Sequence, residues 1–209
     1  MKIHNVEQGS DEWHKLRAGK PTASMFSSLI TPKTRKPSSG LETYAYELAA
    51  EKFAGGRLDP WVGNVWTDRG HELEPEAFKE YNFSMNMPSV QIGFATNDEE
   101  TYGASPDRAI GDDGLLEIKC LKAENHVKNV TFVVEEGECP PDYFLQIQGE
   151  MFVTERDWVD LYLYHDVLPS LAHRVEPDIE IFGLLDELLP KLITRRDEIY
   201  EILMNLKEG

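Results

Sequence analysis

The chain has 209 residues, 41% of them hydrophobic, and its 38 Asp and Glu outweigh 21 Lys and Arg for a net charge of −17. That length and apolar content suit one domain with a sizeable core and exclude disordered and fibrous classes, and so acidic a sum argues at face value against a nucleic-acid partner. With no run of 18 apolar residues, no apolar stretch near the N-terminus, and only Cys120 and Cys139 as cysteines, the expectation is a cytoplasmic protein without a membrane span, secretory leader or disulfide framework.

In chain order, Ser10 followed by Asp11 and Glu12 predicts a capped helix over about 11–18 that stops at Gly19. Thr22 to Ile30 fits a second short helix, and TPKTRKPSSG over 31–40 reads as a basic, mobile loop. Between Trp13 and Leu41 lie Lys15, Arg17, Lys20, Lys33, Arg35 and Lys36 with no acid among them, an arm suited to phosphates despite the acidic total. Leu41 to Phe53 has helical spacing and ends at Gly55-Gly56, and another helix covers about 65–82 with Gly70 and Pro75 as bending points. Val90, Ile92 and Phe94 alternate as one half-buried strand, and Asp107–Ile110 and Leu115–Cys120 read as two strands around a DDG turn. Pro140-Pro141 opens a helix to about Thr154, WVDLYLYH is a strand, and Ile179 to Leu206 is a terminal helix bent near Pro190. The pattern predicts a single α/β domain over 1–209, a central mixed β-sheet flanked by helices. Its parts are a helical basic segment (about 10–56), a core (about 65–165) and a C-terminal helix (about 178–207).

The chemistry concentrates in SPDRAIGDDGLLEIKC, Ser105 to Cys120. A three-residue loop of Asp112, Asp113 and a left-handed Gly114 would pair residue 111 with 115, set Asp107 opposite Lys119, and bring Asp107, Glu117 and Lys119 to one face. Ile110, Leu116, Ile118 and Cys120 then fall on the core face, with Arg108 as a misfit there. Two carboxylates held this close repel unless a cation lies between them. Asp107, Glu117 and the backbone carbonyl of Ile118 form an all-oxygen set suited to Mg²⁺, with Mn²⁺ as a substitute, rather than Zn²⁺. Lys119 beside them can orient a water, or deprotonate it if the site lowers its pKa.

Four ordered blocks widen this reading. QGSDEWHKLRAGKPTAS (Gln8–Ser24), RGHELEPEA (Arg69–Ala77), the SPD and LLEIKC segments, and QIQGEMFVTERDW (Gln146–Trp158) together resemble the lambda exonuclease and YqaJ-like branch of the PD-(D/E)xK nuclease superfamily. The resemblance implies a restriction-endonuclease-like core, metal-binding Asp107 and Glu117, and catalytic Lys119. It further implies Glu74 as a helix-borne acid supporting a second metal or the attacking water, Arg17 and Ser24 on the terminal 5′-phosphate, and Gln146 as a polar active-site residue. Leu121 replaces the proline of the best-known member, and Pro75, directly after Glu74, is a point at which that helix can kink.

The implied activity is Mg²⁺-dependent 5′→3′ digestion of one strand of linear double-stranded DNA from a 5′-phosphorylated end, leaving 3′ overhangs for recombination. A ring-shaped homotrimer, a single-strand annealing partner and the cytoplasm of a bacterial host come with it. Rival readings are a structure-specific or restriction-type endonuclease of the same fold and a non-catalytic DNA-binding adaptor; the complete Asp107, Glu117, Lys119 set argues against the adaptor. The six histidines lack metal-ligand spacing, no phosphate-binding glycine loop appears, and Trp61 and Trp66 fit either core packing or stacking on a DNA end.

Overall fold

The computed structural model describes residues 1–58 and 65–208, with side chains from residue 72 onward in the helix that begins at Val65. Trp61 and the side chain of Trp66 lie outside what is described, so the two readings of these residues stand as expectations. The elements are β1 (Lys2–His4), α1 (Asp11–Arg17), a 3₁₀ turn (Ala23–Ser28), β2 (Ile30–Thr31), β3 (Lys36–Pro37), α2 (Leu41–Ala54) and α3 (Val65–Met85). They continue as β4 (Ser89–Gln91), β5 (Phe94–Thr96), β6 (Gly103–Ala104), β7 (Arg108–Ile110), β8 (Gly114–Cys120), α4 (Ala123–Glu136), α5 (Pro141–Thr154), β9 (Trp158–Tyr164), β10 (Leu171–Val175) and α6 (Ile179–Glu208).

The central sheet runs β10-β9-β8-β7-β4, beside a smaller β1-β5-β6 sheet and a β2-β3 ribbon. Within it β8 and β9 are parallel and the other neighbours antiparallel, which gives the expected mixed α/β architecture. A parallel pair needs a long crossover, and α4 and α5 supply it. On one sheet face Leu115, Val159, Leu161 and Leu163 pack against Ile147 and Met151 of α5. On the other, Leu116, Ile118, Tyr162 and Tyr164 pack against Ala77 and Tyr81 of α3. A third cluster joins α2, α6, the 3₁₀ turn and the remaining apolar side of α5 through Leu145 and Val153. With apolar residues committed in two directions, α5 leaves Gln146 and Glu150, one turn apart, for polar work.

Several expectations are corrected. Residues 31–40 contain the β2-β3 ribbon, tied down where Arg35 pairs with Asp178 at 2.7 Å and Glu180 at 2.9 Å. The second helix is the shorter 3₁₀ turn. The strand read through Val90, Ile92 and Phe94 is two strands in different sheets, broken at Gly93, where a Cβ would collide with the backbone of His4 and Val6. Helix α3 runs through Pro75, and α6 through Pro190. Helix α4 was not expected because Val127, Val130, Thr131, Val133 and Val134 are poor helix formers; its inward stripe of His126, Asn129 and Val133 overrides that propensity. Strands β1, β6 and β10 were also unforeseen, being short or only partly buried. Arg108, the misfit on the core face, donates to Ser89 Oγ at 2.7 Å and the Ser89 carbonyl at 2.9 Å and stacks over the Phe78 ring.

Candidate active site

The β7-β8 hairpin turns through Gly111–Asp113, with Arg108 opposite Leu116 and Ile110 opposite Gly114. This register is shifted from the expected one, and Gly111 rather than Gly114 takes the positive φ, at 55°. Gly114 sits in the strand beneath Trp158, whose ring would collide with any Cβ there. Because the shift preserves parity, Asp107, Glu117 and Lys119 keep a common face; extended one step, the register sets Asp107 against Glu117 rather than Lys119.

The side chains form a connected network. Lys119 Nζ donates to Glu117 Oε1 at 2.6 Å and to Gln146 Oε1 at 3.3 Å. Gln146 Nε2 donates to the same Glu117 oxygen at 2.6 Å and to Glu150 Oε1 at 2.8 Å. Asp107 Oδ2 accepts the Ile118 N–H at 2.7 Å. Glu117 and Glu150 are buried, and in each Oε2 has no hydrogen-bond partner. Glu150 was not foreseen, although its i+4 spacing from Gln146 in QIQGE carried the signal.

Burial, then the charge of Glu117, holds the Asp107 carboxyl well above the usual carboxylate range, and the same two causes raise Glu150. Burial works to lower the Lys119 amine, but Glu117 and Asp107 outweigh it and the net direction is upward. Lys119 is therefore a cationic donor in this arrangement, which suits orienting a water; the lowered pKa on which its role as a base was conditional is not found here. Burial pushes the Cys120 thiol up to about 12, with Glu74 and Asp107 adding to it, and burial takes Cys139 to about 12 as well. Both are unreactive thiols.

The opposite wall of the cavity, about 200 Å³, carries Arg17 and Ser24, facing Asp107, Glu117, Gln146 and Glu150. Arg17 lies one helical turn from Trp13, stacks over its ring at 4.1 Å, and donates to Ser105 Oγ at 3.1 Å and Thr22 Oγ1 at 3.3 Å. Burial pushes it down to about 10, still charged at neutral pH. Neutral hydroxyls and an aromatic face hold it, so its charge remains available to an anion. The remaining basic residues of that stretch do not form one phosphate track. Arg35 is spent on Asp178 and Glu180, Lys20 donates to the Leu16 carbonyl, and Lys15, Lys33 and Lys36 are exposed.

Asp107 and Glu117 meet in a buried pocket with a partnerless oxygen, and a hard divalent cation fits such an oxygen-rich, negatively charged donor set. Glu74 does not line this cavity; its charge reaches Asp107, Arg108 and Cys120 from α3. Among the described residues no group of three or more His, Cys, Asp or Glu is arranged to hold an ion; Glu74 as support for a second metal or the attacking water stands as an expectation.

Residues 12–157 match the YqaJ-like viral recombinase domain. The chain belongs to that family. An alkaline exonuclease (LHK-Exo) from Laribacter hongkongensis matches with a TM-score of 0.81 and 27% identity, covering 95% of this chain and 98% of that one, and its complex with dAMP matches equally. A phage-related exonuclease from Haemophilus somnus shares the fold, with a TM-score of 0.69 and 15% identity over 88% of this chain and 96% of that one. An uncharacterized protein, R354, of Acanthamoeba polyphaga mimivirus is 27% identical over 171 residues, 76% of this chain; the chain spans only 29% of that relative's length. The family's block thus runs from α1 past α5 and contains Arg17, Ser24, Glu74, Asp107, Glu117, Lys119 and Gln146.

Proposed function

We propose that this chain is a metal-dependent exodeoxyribonuclease. It digests one strand of linear duplex DNA in the 5′→3′ direction from a 5′-phosphorylated end and leaves 3′ single-stranded overhangs for recombination. The observation that carries this reading is that a single cavity is lined by Asp107, Glu117 and Gln146 together with Arg17 and Ser24, and that Lys119 is hydrogen-bonded to Glu117 and Gln146 of that lining. Family membership and the near full-length likeness to an alkaline exonuclease support a DNA exonuclease.

Asp107, Glu117 and the Ile118 carbonyl would hold Mg²⁺, for which Mn²⁺ would substitute. When bound, the ion supplies charge neutralisation at the scissile phosphate and a lowered pKa for water. The protein's own groups do the rest. Glu117 and Gln146 fix the Lys119 ammonium through their Oε1 atoms, leaving its third Nζ hydrogen to orient water or steady negative charge at the phosphate. The Gln146 amide locks Glu117 in place from the far side. Arg17 would bind the terminal 5′-phosphate with its planar fork and Ser24 would add a hydroxyl, setting the scissile bond relative to the carboxylates. Glu74 would act on Asp107 through its charge.

The homotrimeric ring, the single-strand annealing partner and a place in the host cytoplasm belong to the same reading, supported by the family. No helix among the described residues is long and apolar enough to cross a membrane. The decisive experiment is digestion of linear duplex DNA labelled at either end, with and without Mg²⁺. Release of the 5′ label first, only with metal, is expected; release from the 3′ end, or equal cleavage of closed circles, would overturn the proposal.

A further inference from the structure

Strand β7 ends early, and the reason lies a hundred residues upstream. On β8, Leu116 pairs with Arg108, so the ladder carried two residues further would set Ile118 against Pro106. That step is not made. Pro106 has no N–H to give, and its carbonyl accepts from Gln8 Nε2 at 3.0 Å. The same Gln8 amide donates to the Ile92 carbonyl at 2.8 Å, so both of its N–H bonds are spent on backbone. Trp13 Nε1 reinforces the grip, donating to the Gly93 carbonyl at 3.2 Å and to Ser105 Oγ at 2.9 Å. The Ile118 N–H, left without its ladder partner, is taken by Asp107 Oδ2 at 2.7 Å. A buried N–H requires an acceptor, and this one fixes the carboxylate.

We propose that Gln8 is a positioning residue for Asp107: by holding the Ile92 and Pro106 carbonyls it fixes the segment that carries Asp107, so that the Asp107 side chain meets the Ile118 N–H where the β7-β8 ladder has stopped. Trp13 secures the same segment from α1. The geometric part stands on the hydrogen bonds alone; its consequence for cation binding rests on the reading of Asp107 as a metal ligand. Gln8 lines the same cavity, but both N–H groups of its amide are spent on backbone carbonyls, so its loss acts through Asp107.

The test uses Gln8→Met, which keeps the length of the side chain and removes both donors. Amide hydrogen exchange in the metal-free protein is read at Ile118 relative to Leu116, two residues along the same strand. Exchange at Ile118 should rise at least tenfold over that at Leu116, with a several-fold weaker Mg²⁺ half-saturation measured by calorimetry and an unchanged KM for DNA. An equal rise at both amides, or no rise, overturns the proposal, because Gln8 would then be general packing or idle. If the methionine variant does not fold, Gln8→Asn, shorter by one methylene, is read in the same way. Asp107→Asn serves as the control for the underlying reading. If it leaves Mg²⁺ binding intact while Gln8→Met still exposes Ile118, the metal assignment fails and the positioning role stands.

Discussion

Asp107→Asn separates the two things a buried carboxylate does at this site, repelling its neighbours and attracting a cation. The amide has the same shape and keeps an oxygen to accept the Ile118 N–H, so the backbone contact at 2.7 Å survives. Without metal, the carboxylate is a burden on the fold. Its pKa lies above the usual 3.8, raised by burial and by Glu117, so the native state holds the proton more tightly than the unfolded chain. Stability is therefore lost as pH rises from about 3.8 through the folded-state value. The variant lacks this loss, and its metal-free melting temperature should exceed that of wild type at pH 8 and approach it in acid. With metal the order reverses. A ligand at a hundred times its Kd stabilises the native state by about 2.7 kcal/mol, which for a domain of this size raises the melting temperature by roughly 5–11 °C. Wild type should show that increment in Mg²⁺ and the variant should not. Thermal unfolding at pH 6 and pH 8, with and without Mg²⁺, measures all four quantities. An increment in the variant equal to that of wild type, or none in wild type, would refute the assignment of Asp107 and Glu117 as the cation seat.

Lys119→Met should lower kcat by about a hundredfold or more while preserving the Mg²⁺-dependent rise in melting temperature, because the lost group is the cationic donor and not a ligand; retained turnover would reject its role. Arg17→Met should reduce the preference for 5′-phosphate over 5′-hydroxyl ends by about tenfold or more, the scale of one charged hydrogen bond, as seen in competition between labelled duplexes. An unchanged ratio would remove Arg17 from the 5′ end. At Gly149 an added Cβ would meet the Phe26 ring, where α5 packs against the 3₁₀ turn bearing Ser24. Gly149→Ala should cost about 1–3 kcal/mol, or roughly 2–12 °C in melting temperature by circular dichroism, and no loss would mean that Phe26 moves freely.

What the sequence made legible is mostly what short-range physics fixes. Ser10 accepts the Trp13 N–H as its cap position predicted, Gly19 and Gly55 end α1 and α2 with left-handed φ, and Pro141 opens α5. The shared face of Asp107, Glu117 and Lys119 follows from strand parity, which is why it survives an error in register. The register itself depended on Trp158, 44 positions from Gly114, occupying the space of a missing Cβ. Val90, Ile92 and Phe94 alternate well, yet Val90 and Phe94 fall in different sheets because Gly93 meets the backbone of the opening segment. Glu150 was within reach through its spacing from Gln146, but a Glu in an amphipathic helix carries no mark of burial until Glu117 is known to lie beside it.

The opening block shows how such distant constraints select residue types. Trp13 and Arg17, one turn apart on α1, both donate to Ser105 Oγ, at 2.9 and 3.1 Å, across 92 and 88 positions of chain. One hydroxyl has two lone pairs to offer, and these two donors can use both. Trp13 also presents its ring to the Arg17 guanidinium, so a cation is held beside the Asp107 segment by an aromatic face and hydroxyls. That is the arrangement a chain with net charge −17 needs if it is to receive a phosphate: the field that matters is set within a few ångströms, where Arg17 makes no ion pair among the described residues and Glu51 acts on it only through its charge. Elsewhere the acids consume basic residues, as Asp178 and Glu180 consume Arg35 and Glu42 consumes Arg195. An acidic total is therefore compatible with the proposed phosphate seat: acids elsewhere neutralise cations such as Arg35 and Arg195, while Arg17, held by hydroxyls and an aromatic ring, lines the cavity of Asp107, Glu117 and Glu150 without an ion pair to them.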